Sequence, residues 1–172
     1  MFYMRKRREL LPLAEYHVIA KANRSEFIFE STQVKKLFLE ILKQAKKRYR
    51  FKIRTFCIMN NHIHLMITPG ENENLSRILQ WILSVFAIRF NKMFGFHGHV
   101  WYDRFKSVLI RTIKQVYNTF IYIADNPVKA GIVENAIDYP YSGVRHLFKR
   151  NYSIIETPNR TTAKILSMVL DL

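Results

Sequence analysis

Two short stretches of this chain carry residue types able to do chemistry together. His62-Ile63-His64 sets two imidazoles two residues apart. On an extended strand successive side chains alternate between faces, so both histidines face one way, about 6–7 Å apart along the strand, while Ile63 faces the other. Two imidazoles so arranged can share one divalent cation; the plainer reading is a chance pair of surface histidines. The second stretch is Tyr122-Ile123-Ala124-Asp125-Asn126-Pro127. Tyr122 and Asn126 are four apart and share a face if the segment is helical. Pro127 disfavours helical geometry at the residue before it, which predicts Asn126 at the helix end with its amide turned outward. The plainer reading here is a buried tyrosine ahead of a helix-terminating Asn-Pro pair.

The elements that must position these residues follow from periodicity. Glu15 to Lys21 has the β-branched and aromatic content of a first strand. Ser31-Thr32-Gln33 opens a helical pattern with Val34, Leu37, Phe38, Ile41, Leu42 and Ala45 on one face. Lys35, Lys36, Lys43, Lys46 and Lys47 are assigned to its solvated basic side. Strands are predicted over Phe51 to Met59 and Ile63 to Thr68, joined at Asn60-Asn61, a pair that tolerates positive φ in a tight turn. A long helix spans Leu75 to Phe94, a fourth strand Ser107 to Arg111, and a third helix Lys114 to Ala124, stopped by Pro127.

This order predicts an α+β, ferredoxin-like (split β-α-β) antiparallel sheet with helices packed on one face, plus an irregular C-terminal extension over 138–172 holding one short helix near its end. A single domain over 1–172 is expected, with residues 1–14 as its basic arm. Such a fold hosts many functions, so function must come from the site.

The charge balance narrows the partner. With 28 Lys and Arg against 13 Asp and Glu, the formal net charge is +15. A folded protein this basic usually meets a polyanion, because cationic side chains near phosphates release condensed counterions. A generic basic surface and a ribosome-associated protein are the bland alternatives. Charge breaks every apolar run before a membrane-spanning length, so no transmembrane helix and no membrane partner are expected. The basic N-terminus has an apolar stretch that stops at Glu15, short of a signal-peptide core. Cys57 is the sole cysteine, which fits a reducing compartment and a cytoplasmic location.

Four segments in order carry a family resemblance. Asn60-Asn61-His62-Ile63-His64-Leu65-Met66-Ile67-Thr68-Pro69 resembles the hairpin motif of the single-tyrosine HUH transposases (His, a bulky apolar residue, His). Tyr122 to Gly131 resembles the tyrosine motif of their REP-associated branch, and Gly98 to Ser107 its glycine- and aromatic-rich segment. Asp138-Tyr139-Pro140-Tyr141-Ser142 approximately matches its Tyr-Pro-Trp-Ser-Ser tail. The resemblance runs from about Glu15 to Leu147.

What the resemblance implies is a mechanism. His62, His64 and Asn126 would hold Mg²⁺ or Mn²⁺ beside a scissile phosphate, and Tyr122 would attack in line to leave a 5′-phosphotyrosine and a free 3′-hydroxyl. The implied partner is single-stranded, hairpin-forming or palindromic-repeat DNA, with a homodimer as one assembly open to the chain. The branch usually carries His-Leu where this chain has Ala124-Asp125; the change either removes a proton shuttle or lets Asp125 supply a carboxylate. An asparagine is also a poorer third ligand than a carboxylate. The alternative from another class is a non-catalytic, domesticated nucleic-acid-binding protein of the same fold.

Further DNA contacts are assigned to Arg5, Lys6, Arg7 and Arg8 on phosphates and to Trp101, Tyr102 and Phe105, interleaved with Arg104 and Lys106, as stacking platforms for unpaired bases. For the aromatics, a loop pinned to the core is the competing reading. Tyr117 is read as packing or stacking. His17, on the first strand, either faces the site or is a surface histidine, the latter being the plainer reading, and His97 and His99 are taken as structural or DNA-contacting.

Overall fold

The computed structural model describes residues 11–169 of the chain. Four strands, β1 (Glu15–Lys21), β2 (Phe51–Ile58), β3 (His62–Pro69) and β4 (Lys106–Ile110), form one antiparallel sheet in the order β2-β3-β1-β4. Five α-helices accompany it: α1 (Thr32–Arg48), α2 (Leu75–Phe94), α3 (Ile113–Lys129), α4 (Gly143–Phe148) and α5 (Arg160–Val169). This is the expected α+β split β-α-β arrangement, except that the helices are not all on one face: α3 lies on the side of the sheet opposite α1 and α2.

Local chemistry sets the helix boundaries. Ser31 accepts the Val34 N–H ahead of α1, and Asn74 accepts that of Arg77 ahead of α2. Thr112 and Gln115 form a reciprocal capping box at α3. α2 ends at Gly95 with φ 66°, a left-handed conformation that glycine takes without a Cβ penalty.

Strand pairing sorts the side chains into two faces. Val18 sits opposite Leu65, Ala20 opposite Ile63 and Tyr16 opposite Ile67, and these fully buried residues share one core with the apolar faces of α1 and α2. The other face carries Ile19 opposite His64, His17 opposite Met66 and Lys21 opposite His62. α3 lies on that second side, with its tyrosine ring against the histidines.

Three local expectations change. The Asn60-Asn61 turn does not use positive φ; neither asparagine adopts it. Instead the Asn60 carbonyl accepts the Phe29 N–H (2.9 Å) and the Asn61 carbonyl that of Ala22 (2.8 Å), so the turn is tied to the chain leaving β1. Lys35 is not on the solvated side of α1 but buried. Its ammonium donates to the carbonyls of Phe29 and Glu30 and to Asn60 Oδ1 (3.0 Å), which satisfies the charge and clamps the same turn. Finally, α3 does not stop before Pro127. The proline is buried inside the helix, which runs on to Lys129 and closes with the Ala130 N–H on the Asn126 carbonyl (3.0 Å). Burial against the sheet outweighs the single ladder bond the proline removes.

The C-terminal extension is also more ordered than expected, with two helices rather than one. It is fastened to β2: Ser142 bridges Cys57, the Tyr139 hydroxyl donates to the Ile58 carbonyl (2.6 Å), and the Glu156 N–H bonds the Ile53 carbonyl (2.9 Å). Lys46 pairs with Glu156 (2.5 Å). At a β2 irregularity between Ile53 and Thr55, Arg54 turns out to meet Glu15 (2.7 Å) and Thr162 (2.7 Å).

Candidate active site

The two histidines of β3 meet at right angles, with ring centroids 4.8 Å apart. His62 Nδ1 lies 2.7 Å from Asn61 Oδ1. An amide oxygen only accepts, so Nδ1 carries the ring hydrogen and Nε2 keeps its lone pair. His64 is 2 % exposed, its Nδ1 is 2.9 Å from Nε2 of His17, and its own Nε2 is buried with no hydrogen-bond partner. A buried polar atom without a partner is uncommon and calls for an explanation. Burial, then the neighbouring His62, His17 and Lys21, pushes His64 down to about 3. Burial also lowers His62 and His17, with Lys21 adding to the effect at His62. All three rings are therefore neutral at pH 7, the state in which an imidazole nitrogen can ligate a cation.

Tyr122 projects from α3 onto this cluster. Its ring centroid lies 5.5 Å from that of His64 and 5.8 Å from that of His17, both edge to face. The residue is 46 % exposed. The structure thus brings together His62, His64 and Tyr122, separated by some sixty residues of chain.

Asn126 stands one turn beyond Tyr122, inside the helix rather than at its end. Its amide is not turned free: Nδ2 donates to the Tyr122 carbonyl at 2.6 Å, which leaves Oδ1 as the available donor atom. Ala124 is buried, and Asp125 pairs with Lys129 (3.7 Å), whose ammonium lies 5.9 Å from the centre of the Tyr122 ring.

Among the described residues no group of three or more His, Cys, Asp or Glu side chains is placed to hold a metal ion. A cation at this site therefore needs a third donor of another kind, and Asn126 Oδ1 on the nucleophile's helix has the right chemistry. The unpartnered His64 Nε2 and the free His62 Nε2 fit the other two positions.

Of the two readings of His17, the plainer one, a surface histidine, gives way: the ring faces the site. Its signal was alternation along β1, which puts it on the face opposite Tyr16 and Val18. Which β3 residue that face would meet depends on strand register, which alternation alone does not reveal.

The remaining assigned residues divide. Arg5, Lys6, Arg7 and Arg8 lie outside the described residues. Trp101 donates from Nε1 to the Leu83 carbonyl (2.9 Å) and packs among Phe29, Phe38 and Phe86, and Phe105 is buried. These two aromatics pin the loop rather than offering open faces. Tyr102, 72 % exposed, and Arg104 and Lys106 face solvent. The Tyr102 N–H bonds the carbonyl of Lys21 (3.0 Å), the cross-strand neighbour of His62, which brings this stretch of backbone to that end of the site. Between this loop and α2 lies an open cavity of about 700 Å³, lined by Gln80, Ser84, Trp101 and Tyr102 among others. His97, His99 and Tyr117 are exposed. Among the described residues no helix is long and apolar enough to cross a membrane.

Comparison with known proteins bears on this arrangement. A family model described as "Transposase IS200 like" matches residues 11–126. A Haemophilus influenzae protein provisionally named a REP-associated tyrosine transposase is 32 % identical over 115 residues, covering 61 % of this chain and 65 % of that protein. The chain thus spans a little under two thirds of the length of this curated relative. A REP-associated tyrosine transposase solved bound to a REP hairpin superposes with a TM-score of 0.73 at 23 % identity, over 91 % of this chain and 92 % of that one. That likeness establishes the fold.

Proposed function

Because the chain belongs to the IS200-like transposase family, we propose that it nicks and rejoins single-stranded or hairpin DNA through a 5′-phosphotyrosine at Tyr122. The observation that carries this reading is the buried, unpartnered Nε2 of His64, beside His62 and 5.5 Å ring to ring from an exposed tyrosine. A sealed lone pair next to a solvent-accessible nucleophile has little structural purpose and an evident chemical one.

In this reading His62 Nε2, His64 Nε2 and Asn126 Oδ1 hold Mg²⁺ or Mn²⁺. When bound, such an ion polarises phosphoryl oxygens and offsets the charge that builds on phosphorus. The chain's own residues do the rest. Asn61 orients the imidazole of His62, and the helical turn from Tyr122 to Asn126 sets the nucleophile beside the ligands. The Tyr122 oxygen forms a bond to phosphorus as the bond to the 3′-oxygen breaks; the phenolic proton leaves and the 3′-oxygen takes one up. The ester keeps the phosphodiester's energy, so a new 3′-hydroxyl can reverse the step and join strands.

What supports DNA as the partner is the net charge of +15, together with a protein of the same fold solved on a hairpin. Exposed Tyr102, Arg104 and Lys106 are the proposed contacts to unpaired bases and backbone near the site.

The test is a hairpin oligonucleotide with a single-stranded flank, incubated with Mg²⁺ or Mn²⁺. A covalent protein–DNA adduct absent from Tyr122→Phe is expected. Tight binding with no adduct under either metal refutes catalysis and leaves a binding protein of the same fold. An adduct that survives Tyr122→Phe refutes the choice of nucleophile.

A further inference from the structure

Three histidines meet on this face of the sheet, and the proposed reaction uses only two as ligands. His17 Nε2 lies 2.9 Å from His64 Nδ1, with the rings stacked at 5.2 Å and 25°. Two neutral imidazoles at that distance share one hydrogen, and there are two ways to do it. If His17 donates, the hydrogen of His64 must sit on Nε2, a buried N–H with nothing to accept it. If His64 donates from Nδ1, His17 Nε2 accepts and His64 Nε2 is left as a lone pair. Buried N–H groups without an acceptor are the rarer and costlier case, so the second arrangement wins. It is also the one tautomer of His64 able to ligate through Nε2. The same His17 ring touches Tyr122 edge to face at 5.8 Å, so one side chain contacts both a proposed ligand and the nucleophile.

We infer that His17 is a positioning residue, which holds His64 in its Nδ1–H tautomer and seats the ring of Tyr122. The role rests on the reading of His62 and His64 as metal ligands. It parallels what Asn61 does for His62: an acceptor on Nδ1 aims Nε2 into the site. The backbone supports it, since β1 is an interior strand paired to both β3 and β4 and cannot easily swing His17 away.

The test uses the full chain with ¹⁵N-labelled histidines, and two variants. In His17→Gln the amide oxygen can still accept from His64 Nδ1; in His17→Phe the ring remains but the acceptor is lost. Long-range ¹⁵N spectra of metal-free protein should show His64 with its hydrogen on Nδ1. Titration with Mn²⁺, followed by the electron paramagnetic resonance of the free ion, should show affinity falling about 10- to 100-fold in His17→Phe. His17→Gln should recover most of it, with thermal unfolding confirming that both variants fold. A His64 hydrogen on Nε2 in the wild type overturns the inference, and that spectrum decides the matter even if His17→Phe fails to fold. So does a folded His17→Phe that binds Mn²⁺ as tightly as wild type, a result that leaves the ligand reading intact. A wild-type chain that takes up no Mn²⁺, by contrast, removes the ligand reading and this role with it.

Discussion

Acidification of the metal-free protein provides a quantitative test of how deeply His64 is sealed. In the unfolded chain this imidazole titrates at its ordinary 6.5; in the fold, burial and its cationic and imidazole neighbours hold it down to about 3. Between those values the unfolded state binds a proton that the native state refuses, so stability falls as pH falls. The contribution is intact above pH 6.5 and is lost progressively toward pH 3. At pH 5 the chain is 1.5 pH units below the unfolded value, which corresponds to a loss of about 2 kcal/mol from His64 alone. His17 and His62 are lowered in the same direction and add to the loss. Urea unfolding at pH 7 and pH 5 measures it, with His64→Asn as the reference that cannot titrate at that position. The wild type should lose about 2 kcal/mol more than the variant between the two pH values. Equal losses, within about 0.5 kcal/mol, would refute the claim that the fold keeps His64 neutral.

Other expectations follow from single contacts. Saturating Mn²⁺ should raise thermal stability, by about 2.7 kcal/mol at one hundred times Kd, and His64→Ala should abolish the gain. Asn126→Asp replaces an amide oxygen with a carboxylate and should tighten Mn²⁺ in the same titration; unchanged affinity would argue against Asn126 as a ligand. Lys35→Met strips the donor from Asn60 Oδ1 and two carbonyls, and should cost about 1–3 kcal/mol in urea unfolding, with faster amide exchange around the turn before His62. Gly143→Ala would drive a methyl group into Thr55 Oγ1 and to within 2.8 Å of the Phe56 nitrogen, so a loss of about 1–3 kcal/mol is expected by the same measurement.

Much of the architecture was legible because it rests on periodicity. The bounds of β1 and α2 are those that alternation and the i, i+3, i+4 pattern predict, and His62 and His64 do share a face. What periodicity misses is tertiary. Pro127 reads as a stop, yet its ring is buried against the rest of the fold, and packing overrides the local preference. Lys35 reads as solvated, yet the carbonyls that receive it come from a distant turn and a loop. Trp101 and Phe105 look like stacking platforms until the core claims them. α4 spans six residues, too few for a helical period to stand out, and its Ser142 cap is visible only once the extension docks on β2. His17 shows the limit most clearly, since only the register of β1 on β3 turns a surface histidine into a neighbour of His64.

The strand order has a consequence for lifetimes. β1 and β3 are the two interior strands, hydrogen-bonded on both sides, and they carry His17, His62 and His64. Amides in such strands are freed only by openings near the global unfolding free energy. Tyr122 rides instead on α3, a helix that leaves Ile113 and Tyr117 in solvent and Tyr122 partly so, although its ring meets the histidines. A helix with one face in solvent is expected to open locally at lower free energy than a strand paired on both sides. The proposed covalent strand would thus be attached to the half of the site expected to open more readily, while the imidazoles stand on strands paired on both sides.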